Sequence, residues 1–392
     1  MVIPSDKLIS ANWVYQLSII SLILTILQGP YSATVLAYER MNIYAYISIA
    51  DAIFKLCAAV IIQYTSSDKL VLYGILICCI SLINLVTYFT YNKIKFLFLK
   101  FTPKLQRKLF KQMFSFLGWN IFGSFAYVAK GQGTNIILNN FFGAIVNAAN
   151  GITVQITYAI QSFASNLVIA FKPQLTHSYA IGDYNRTEHL LFSMSKLSYF
   201  LFCIIGIPLI CEIEYILSIW IGDTTPPQTS IFCILSIIAT GIGCFNTPIT
   251  QVIHATGQMK QYQIVTSSII CSILPISWIA LKLEATAYSV FYITIIITVI
   301  NQVACVYTMN KVFRINIRQY IIDVVVKCGI FTFLTYTTAH IISRTMPESI
   351  VRFSLVVVGT IVSSILILIA ILNQEEKNIV KTFFHKFTPK KI

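Results

Sequence analysis

The stretch "LVLYGILICCISLINLVTYFTYNKIKFLFLKFTPKLQRKLFK", residues 70–111, sets two signals side by side. From Leu70 to Asn92 no side chain carries a formal charge. From there to Lys111 seven do, and all are positive: Lys93, Lys95, Lys100, Lys104, Arg107, Lys108 and Lys111. An uncharged apolar run of this length matches the about 20 residues that a helix needs to cross a bilayer core. Lysine and arginine clustered beside such a run mark the cytoplasmic side.

The same apolar signal recurs along the chain. Runs near 12–38, 43–64, 69–91, 114–138, 143–171, 196–217, 229–253, 262–281, 286–309, 321–342 and 349–372 predict eleven helical spans. Composition agrees, with 57% hydrophobic and 11% charged residues, where a soluble domain carries about 25% charged. Mean hydropathy is +0.77. A transmembrane barrel would alternate in polarity over segments of about ten residues, and that pattern is absent. The expected fold class is therefore all-α, a polytopic transmembrane helical bundle. The longest polar segments, 92–113, 172–196 and the tail from 373, leave no place for a large soluble domain. The ten cysteines lie in or beside apolar runs without C-x-x-C pairing and read as small packing residues. No metal site and no cofactor are expected.

A net charge of +14 would suggest nucleic acid in a soluble chain. Here the positive residues sit mostly between apolar runs, so membrane orientation accounts for them and no nucleic-acid partner is expected. With 92–113 inside, inner segments collect 20 of the 28 Lys and Arg, outer segments hold five, and three fall within spans. Glu212, Glu214 and Asp223 share one outer segment. This places the C-terminus in the cytoplasm and the N-terminus outside. The opening residues, "MVIPSDKLIS", do not read as a signal peptide. An outside N-terminus with neither a leader nor a preceding helix is most simply explained if the sequence starts partway through a longer transporter.

An internal repeat points the same way. "PYSATVLAYERMNIYAY" from Pro30 and "PITQVIHATGQMKQYQI" from Pro248 align at a constant offset of 218 residues. Pro30, Ala37, Met41 and Tyr44 match Pro248, Ala255, Met259 and Tyr262. Each stretch is a helix with an internal proline, a short inner loop and a new helix. Both first helices run outside to inside, so the repeat is parallel, about an axis along the membrane normal. Three helices precede the basic segment and six follow it up to residue 309 or so. Three helices, about 100 residues at the spacing of the others, are then expected before the first repeat.

Charges within spans are the candidate functional groups, because each costs about 2.5–3.5 kcal/mol at the bilayer centre. Lys130 is the one charged residue between Lys111 and Lys172. It stands among Gly131, Gly133, Asn135, Asn139 and Asn140. Polar, breakable backbone at this depth suits a residue facing a central cavity; the alternative is a lysine that snorkels to the outer headgroups. Asp51 and Lys55, at i, i+4, share a helix face. They form either a self-neutralising pair or a cavity wall that a substrate or proton can break. Asp323 and Lys327 repeat the spacing near an interface. Pro30, Pro208, Pro248 and Pro275 interrupt spans, and the repeat-matched Pro30 and Pro248 are the hinge candidates. His254 reads as an interfacial residue. Segment 172–196 is amphipathic and cytoplasmic, either a solvated loop or a contact for anionic headgroups.

"QGTNIILNNFFGAIVNAANGI" (132–152), with "KPQLTHSYAIGDY" (172–184), resembles the start of the second lobe in polysaccharide exporters. These belong to the multidrug/oligosaccharidyl-lipid/polysaccharide (MATE-like) superfamily. The nearest likeness is to the Bacteroidetes-type branch of lipopolysaccharide O-unit (Wzx-type) flippases. Residues 11–49 resemble that branch from its fourth helix into its fifth, and "LPISWIALKL" (274–283) its eleventh. The resemblance implies a fourteen-helix plan of two six-helix lobes around a cationic cavity, followed by two extra helices. Under that plan 1–92 is a remnant of the N-terminal lobe (family helices four to six) and 93–113 the basic cytoplasmic loop between lobes. Residues 114–310 form the C-terminal lobe (family helices seven to twelve), and 311–392 two additional helices with a basic cytoplasmic tail. It also implies a non-enzymatic protein of the bacterial inner membrane. Its partners would be an undecaprenyl-pyrophosphate-linked oligosaccharide, membrane lipids and other polysaccharide-assembly proteins. Lys130 and Lys55 would contribute to the cavity. Asn150 departs from the pattern, because many relatives carry a basic residue there.

Three other readings stand beside this one. A cation-coupled multidrug antiporter needs embedded carboxylates, and only Asp51 is deep. A membrane polymerase or ligase needs catalytic groups on large outer loops, and the outer segments are short. A truncated, non-functional fragment of such a transporter is the last.

Overall fold

The computed structural model describes residues 8–65, 68–96 and 107–371. The middle of the basic segment 93–113 and the tail from 373 lie outside them. Every regular element among the described residues is helical. Ten are long and apolar enough to cross a membrane. The chain is an all-α, multi-pass membrane protein. It divides into two compact units, Met1–Leu105 and Gln106–Ile392.

Unit 1 holds α1 (Leu8–Ala37), α2 (Met41–Tyr64) and α3 (Lys69–Lys95). Asp68 starts α3 by accepting from the backbone N–H of Leu70 at 3.0 Å, which occupies one of the first-turn donors that a helix leaves open. α1 and α2 both pack on α3. Val35, Ile47, Tyr88 and Phe96 form a small core, and Asn92 ties α3 to α1 by donating to the carbonyl of Tyr31 at 3.1 Å. Most other large apolar side chains of these helices are exposed. That pattern belongs to helices whose outer faces meet lipid, where burial in protein is not needed to keep apolar surface from water.

Unit 2 begins with α4 (Arg107–Ala180), whose apolar part, Leu117–Ala180, is 64 residues long. A straight helix of that length would run about 96 Å, three times a bilayer core of about 30 Å. Gly143 breaks it, at φ 79° and ψ −173°. That conformation is open almost only to glycine. Expected spans four and five are therefore the two halves of one element.

α5 (Tyr184–Cys211) follows after a turn at Ile181–Asp183. Gly182 takes φ 81° there, and Asp183 caps α5 through the N–H of Arg186 at 3.0 Å. The segment 172–196, expected as either a solvated loop or a contact for anionic headgroups, is the end of one helix and the start of the next. Its polar residues made it look like loop, but helices longer than the bilayer carry such residues past its edge. α5 is the most buried helix, with Leu191, Met194, Phe200 and Phe202 in the main core. Lys196, expected at a membrane edge, is 2% exposed.

Next come α6 (Ile213–Trp220), α7 (Thr229–Gly243), α8 (Asn246–Thr256), α9 (Met259–Cys271), α10 (Ile273–Lys282) and α11 (Ser289–Val312). α7 and α8 together make one crossing, as do α9 and α10. Their interruptions have one cause. A proline cannot donate to the carbonyl four residues before it, and Pro248 and Pro275 each follow a break by that distance or one less. Pro30, by contrast, sits inside a continuous α1. Of the two hinge candidates, only Pro248 accompanies an interrupted helix.

The chain ends with α12 (Ile317–Tyr320), a π-helical turn (Ile321–Val326), α13 (Lys327–Thr345) and α14 (Ile350–Ile371). Asp323 and Lys327 pair at 2.7 Å. Arg352 on α14 reaches Glu212, at the end of α5, at 2.7 Å. Glu212 is 1% exposed, so this pair joins the terminal helices to α5 by a contact whose loss would strand a buried charge.

Candidate functional site

Lys130 lies on the first half of α4, and the residues in line with it show which way it points. Gly123, Ala126, Lys130 and Gly133 recur at spacings of three and four, which is one face of a helix. A Cβ on Gly123 would meet Gln263 of α9 at 2.1 Å, and one on Gly133 would meet Leu274 of α10 at 2.5 Å. Small residues here let α4 lie against α9 and α10 with little space between backbones. Lys130 therefore faces the interior of unit 2 and not the lipid.

The side chain enters a cavity of about 320 Å³. α4 contributes Tyr127, Lys130 and Gln161; α7 and α8 contribute Thr240, Asn246, Thr247, Thr250 and Gln251; α11 contributes Thr298, Asn301 and Gln302. Lys130 is the one charged residue of this lining. Among the described residues it makes no hydrogen bond and no ion pair. Three lining amides hold buried atoms without a partner: Gln251 Oε1, Asn301 Oδ1 and Gln302 Nε2. Buried polar atoms are nearly always paired, so these three are an unmet hydrogen-bonding demand in the wall of the cavity.

One end of the cavity is closed by a knot of hydrogen bonds. Asn246 Nδ2 donates to Tyr127 Oη at 2.9 Å, and Tyr262 Oη donates to Asn246 Oδ1 at 2.5 Å. Thr250 and Tyr262 share a hydroxyl contact at 2.8 Å. Beyond the knot is a second space of about 190 Å³, lined by Asn120, Ser124, His254 and Gln263 and bounded by the same Tyr127, Asn246 and Thr250. His254 faces this space.

Asn135 and Asn139 stand outside the cavity. They are five and nine residues from Lys130, which rotates them about 140° and 180° around the helix. Asn139 is exposed. Asn135 instead accepts from Asn150 Nδ2 at 2.6 Å, tying the halves of α4 across the Gly143 break. Asn150 is 3% exposed and spent on that contact.

Asp51 and Lys55 line a different cavity, of about 380 Å³, within unit 1. Their pair is 2.7 Å long, and the other carboxylate oxygen of Asp51 accepts from Asn84 Nδ2 at 2.7 Å. Both oxygens are thus engaged by the protein itself.

The unit 1 cavity shares part of its lining with the two spaces of unit 2 through the repeat. At the offset of 218, Gln28, Ser32, Tyr44, Ser48 and Asn84, which line the unit 1 cavity, correspond to Asn246, Thr250, Tyr262, Thr266 and Gln302. The second set lines the two spaces of unit 2. Each exchange keeps its chemistry: amide for amide, hydroxyl for hydroxyl, tyrosine for tyrosine. The helices agree as well, since Met41–Tyr64 maps onto Met259–Lys282 at both ends. The charges are not repeated: Asp51 and Lys55 map onto Ile269 and Ile273.

The amides of α8 and α11 escaped the reading of the sequence, which followed formal charge. The signal was present. Asn301 and Gln302 interrupt an apolar stretch of α11, and the repeat, continued past Tyr262, pairs Gln302 with Asn84.

No protein-family model matches the chain, and no curated protein matches it.

Proposed function

We propose that the protein is a flippase on the MATE-like plan. It would carry a lipid-linked oligosaccharide, on undecaprenyl pyrophosphate, from the inner to the outer leaflet of a bacterial inner membrane for lipopolysaccharide or other surface polysaccharide. The observation that carries this reading is Lys130, an unpaired cation in a cavity otherwise walled by neutral amides and hydroxyls. An embedded lysine costs about 2.5–3.5 kcal/mol. Where no protein carboxylate answers it, an anionic solute is the natural counter-ion. Amides and hydroxyls at the same wall match the hydroxyls of a sugar head. The repeat supports a transporter built from matching halves that alternate in access. In such a cycle the head would pass through the polar space while the lipid tail stays in the bilayer. Other polysaccharide-assembly proteins would supply and receive the substrate.

A cation-coupled antiporter is favoured less. It needs a carboxylate free to exchange protons or metal ions, and Asp51 has both oxygens occupied, by Lys55 and Asn84. Dye export lost on Asp51→Asn substitution would reverse that ranking.

The test uses cells whose only copy of the gene carries Lys130→Ala. Loss of one charge-assisted contact of about 1.4 kcal/mol corresponds to about a tenfold fall. Surface polysaccharide should drop by that factor while protein in the membrane stays at its normal level. Translocation at the unsubstituted rate would remove Lys130, and with it the reading.

A further inference from the structure

We propose that the knot formed by Tyr127, Asn246, Thr250, Tyr262 and Cys305 is a latch on the helix break beside Pro248. While it is made, unit 2 keeps its two polar spaces apart. When it is released, α8 swings at the break and the two spaces join into one passage. The inference concerns how unit 2 moves and does not depend on the flippase reading.

The place where the knot is tied is the first observation. α7 ends at Gly243 and α8 begins at Asn246. Pro248 has no N–H to give the carbonyl of Cys244, so the two helices meet without that bond. Hinges are made of a few residues at the ends of elements, and Asn246 is such a residue. Its Oδ1 accepts from Tyr262 Oη at 2.5 Å and from the Cys305 thiol at 3.3 Å, and its Nδ2 donates to Tyr127 Oη at 2.9 Å. One side chain at the break is thereby pinned to α9, α11 and α4. Each such bond contributes modestly, so the latch can open locally while the bundle stays folded.

The position of the knot between the spaces is the second. Tyr127, Asn246 and Thr250 line both the space of about 320 Å³ and the space of about 190 Å³. They are the wall that the two have in common. Amides and hydroxyls stand on either side of it, so groups freed by opening meet water and not an apolar void.

Unit 1 acts as an internal comparison. At the offset of 218, Asn246, Thr250, Tyr262 and Cys305 correspond to Gln28, Ser32, Tyr44 and Thr87. The polar types are nearly the same, yet no knot forms. Ser32 Oγ donates to the carbonyl of Gly29 at 3.0 Å and Thr87 Oγ1 to that of Ile83 at 2.8 Å, each within its own helix. α1 is continuous through Pro30. The knot accompanies the broken helix and is missing where the helix is whole.

The experiment reads the native thiols of the full chain in nanodiscs. N-ethylmaleimide is added, and the modification of each cysteine is followed by mass spectrometry. Cys305 lies in the knot and is 0% exposed; Cys233, on α7, is equally buried and lies outside it. Cys57 is exposed and sets the unhindered rate. Cys305 should react far more slowly than Cys57. Tyr262→Phe removes the hydroxyl that donates to Asn246 and should speed Cys305 about tenfold, the factor that about 1.4 kcal/mol corresponds to, with Cys233 unchanged. Pro248→Ala restores the missing donor and should slow Cys305 severalfold, again with Cys233 unchanged. If Pro248→Ala leaves the Cys305 rate where it was, the latch is overturned. It is also overturned if Tyr262→Phe speeds Cys305 and Cys233 alike, or if Cys305 reacts as fast as Cys57 in the unsubstituted protein.

Discussion

Lys130 owes its direction to its neighbours more than to its own chemistry. A lysine near the outer end of a span is free to snorkel, and the polar residues around it do not decide the matter, since Asn135 and Asn139 turn away from its cavity. Gly123, Ala126 and Gly133 do decide it, because a stripe of small residues is where helices approach. This yields a prediction with a built-in control. Gly133→Val puts a Cβ at 2.5 Å from Leu274 and should destabilise unit 2 by about 1–3 kcal/mol. Gly131→Ala, two residues away, meets nothing within 4 Å and should leave the unfolding midpoint in place. Equal effects at the two positions would contradict the packing of α4 against α10.

The helices are shaped by their exceptions. Gly143 divides an element otherwise too long for one crossing, in a backbone conformation that other residues pay about 1–3 kcal/mol to adopt. Gly143→Ala should therefore lower stability by that amount, although its Cβ would meet no atom within 4 Å. An unchanged midpoint would mean that the two halves of α4 are not held at this angle. The prolines act differently from one another. Pro248 and Pro275 accompany breaks, whereas Pro30 does not. α1 runs on through Pro30 from Leu8 to Ala37 without interruption. Pairing by repeat position therefore does not make two prolines equivalent hinges.

The molecule as a whole combines a legible pattern of crossings with a less legible interior. The Lys and Arg bias predicts that 93–113 faces the cytoplasm and that the short segment at Lys282–Glu284 faces outside. Truncations fused to a fluorescent reporter after Lys104 should fluoresce, and fusions to a secreted phosphatase after Glu284 should be active. The opposite pair of results would invert the topology. The two units meet this test together, since their boundary at Leu105–Gln106 lies within the basic segment.

Sequence alone was enough for the helical class, the spans and the repeat. Each of these rests on local or periodic signals: run length, charge bias and a constant offset. It was also enough to single out Lys130, Asp51 and Lys55, because a charge within an apolar run is conspicuous wherever the helix points. Three-dimensional packing was needed to separate their roles. It turned Lys130 into a cavity, closed Asp51 on both oxygens and set Asn135 against Asn150. It also gathered Gln251, Asn301 and Gln302 around one space. Neutral amides carry no charge to mark them in a linear chain, and their significance arises only when α4, α8 and α11 bring them together without enough partners to go round.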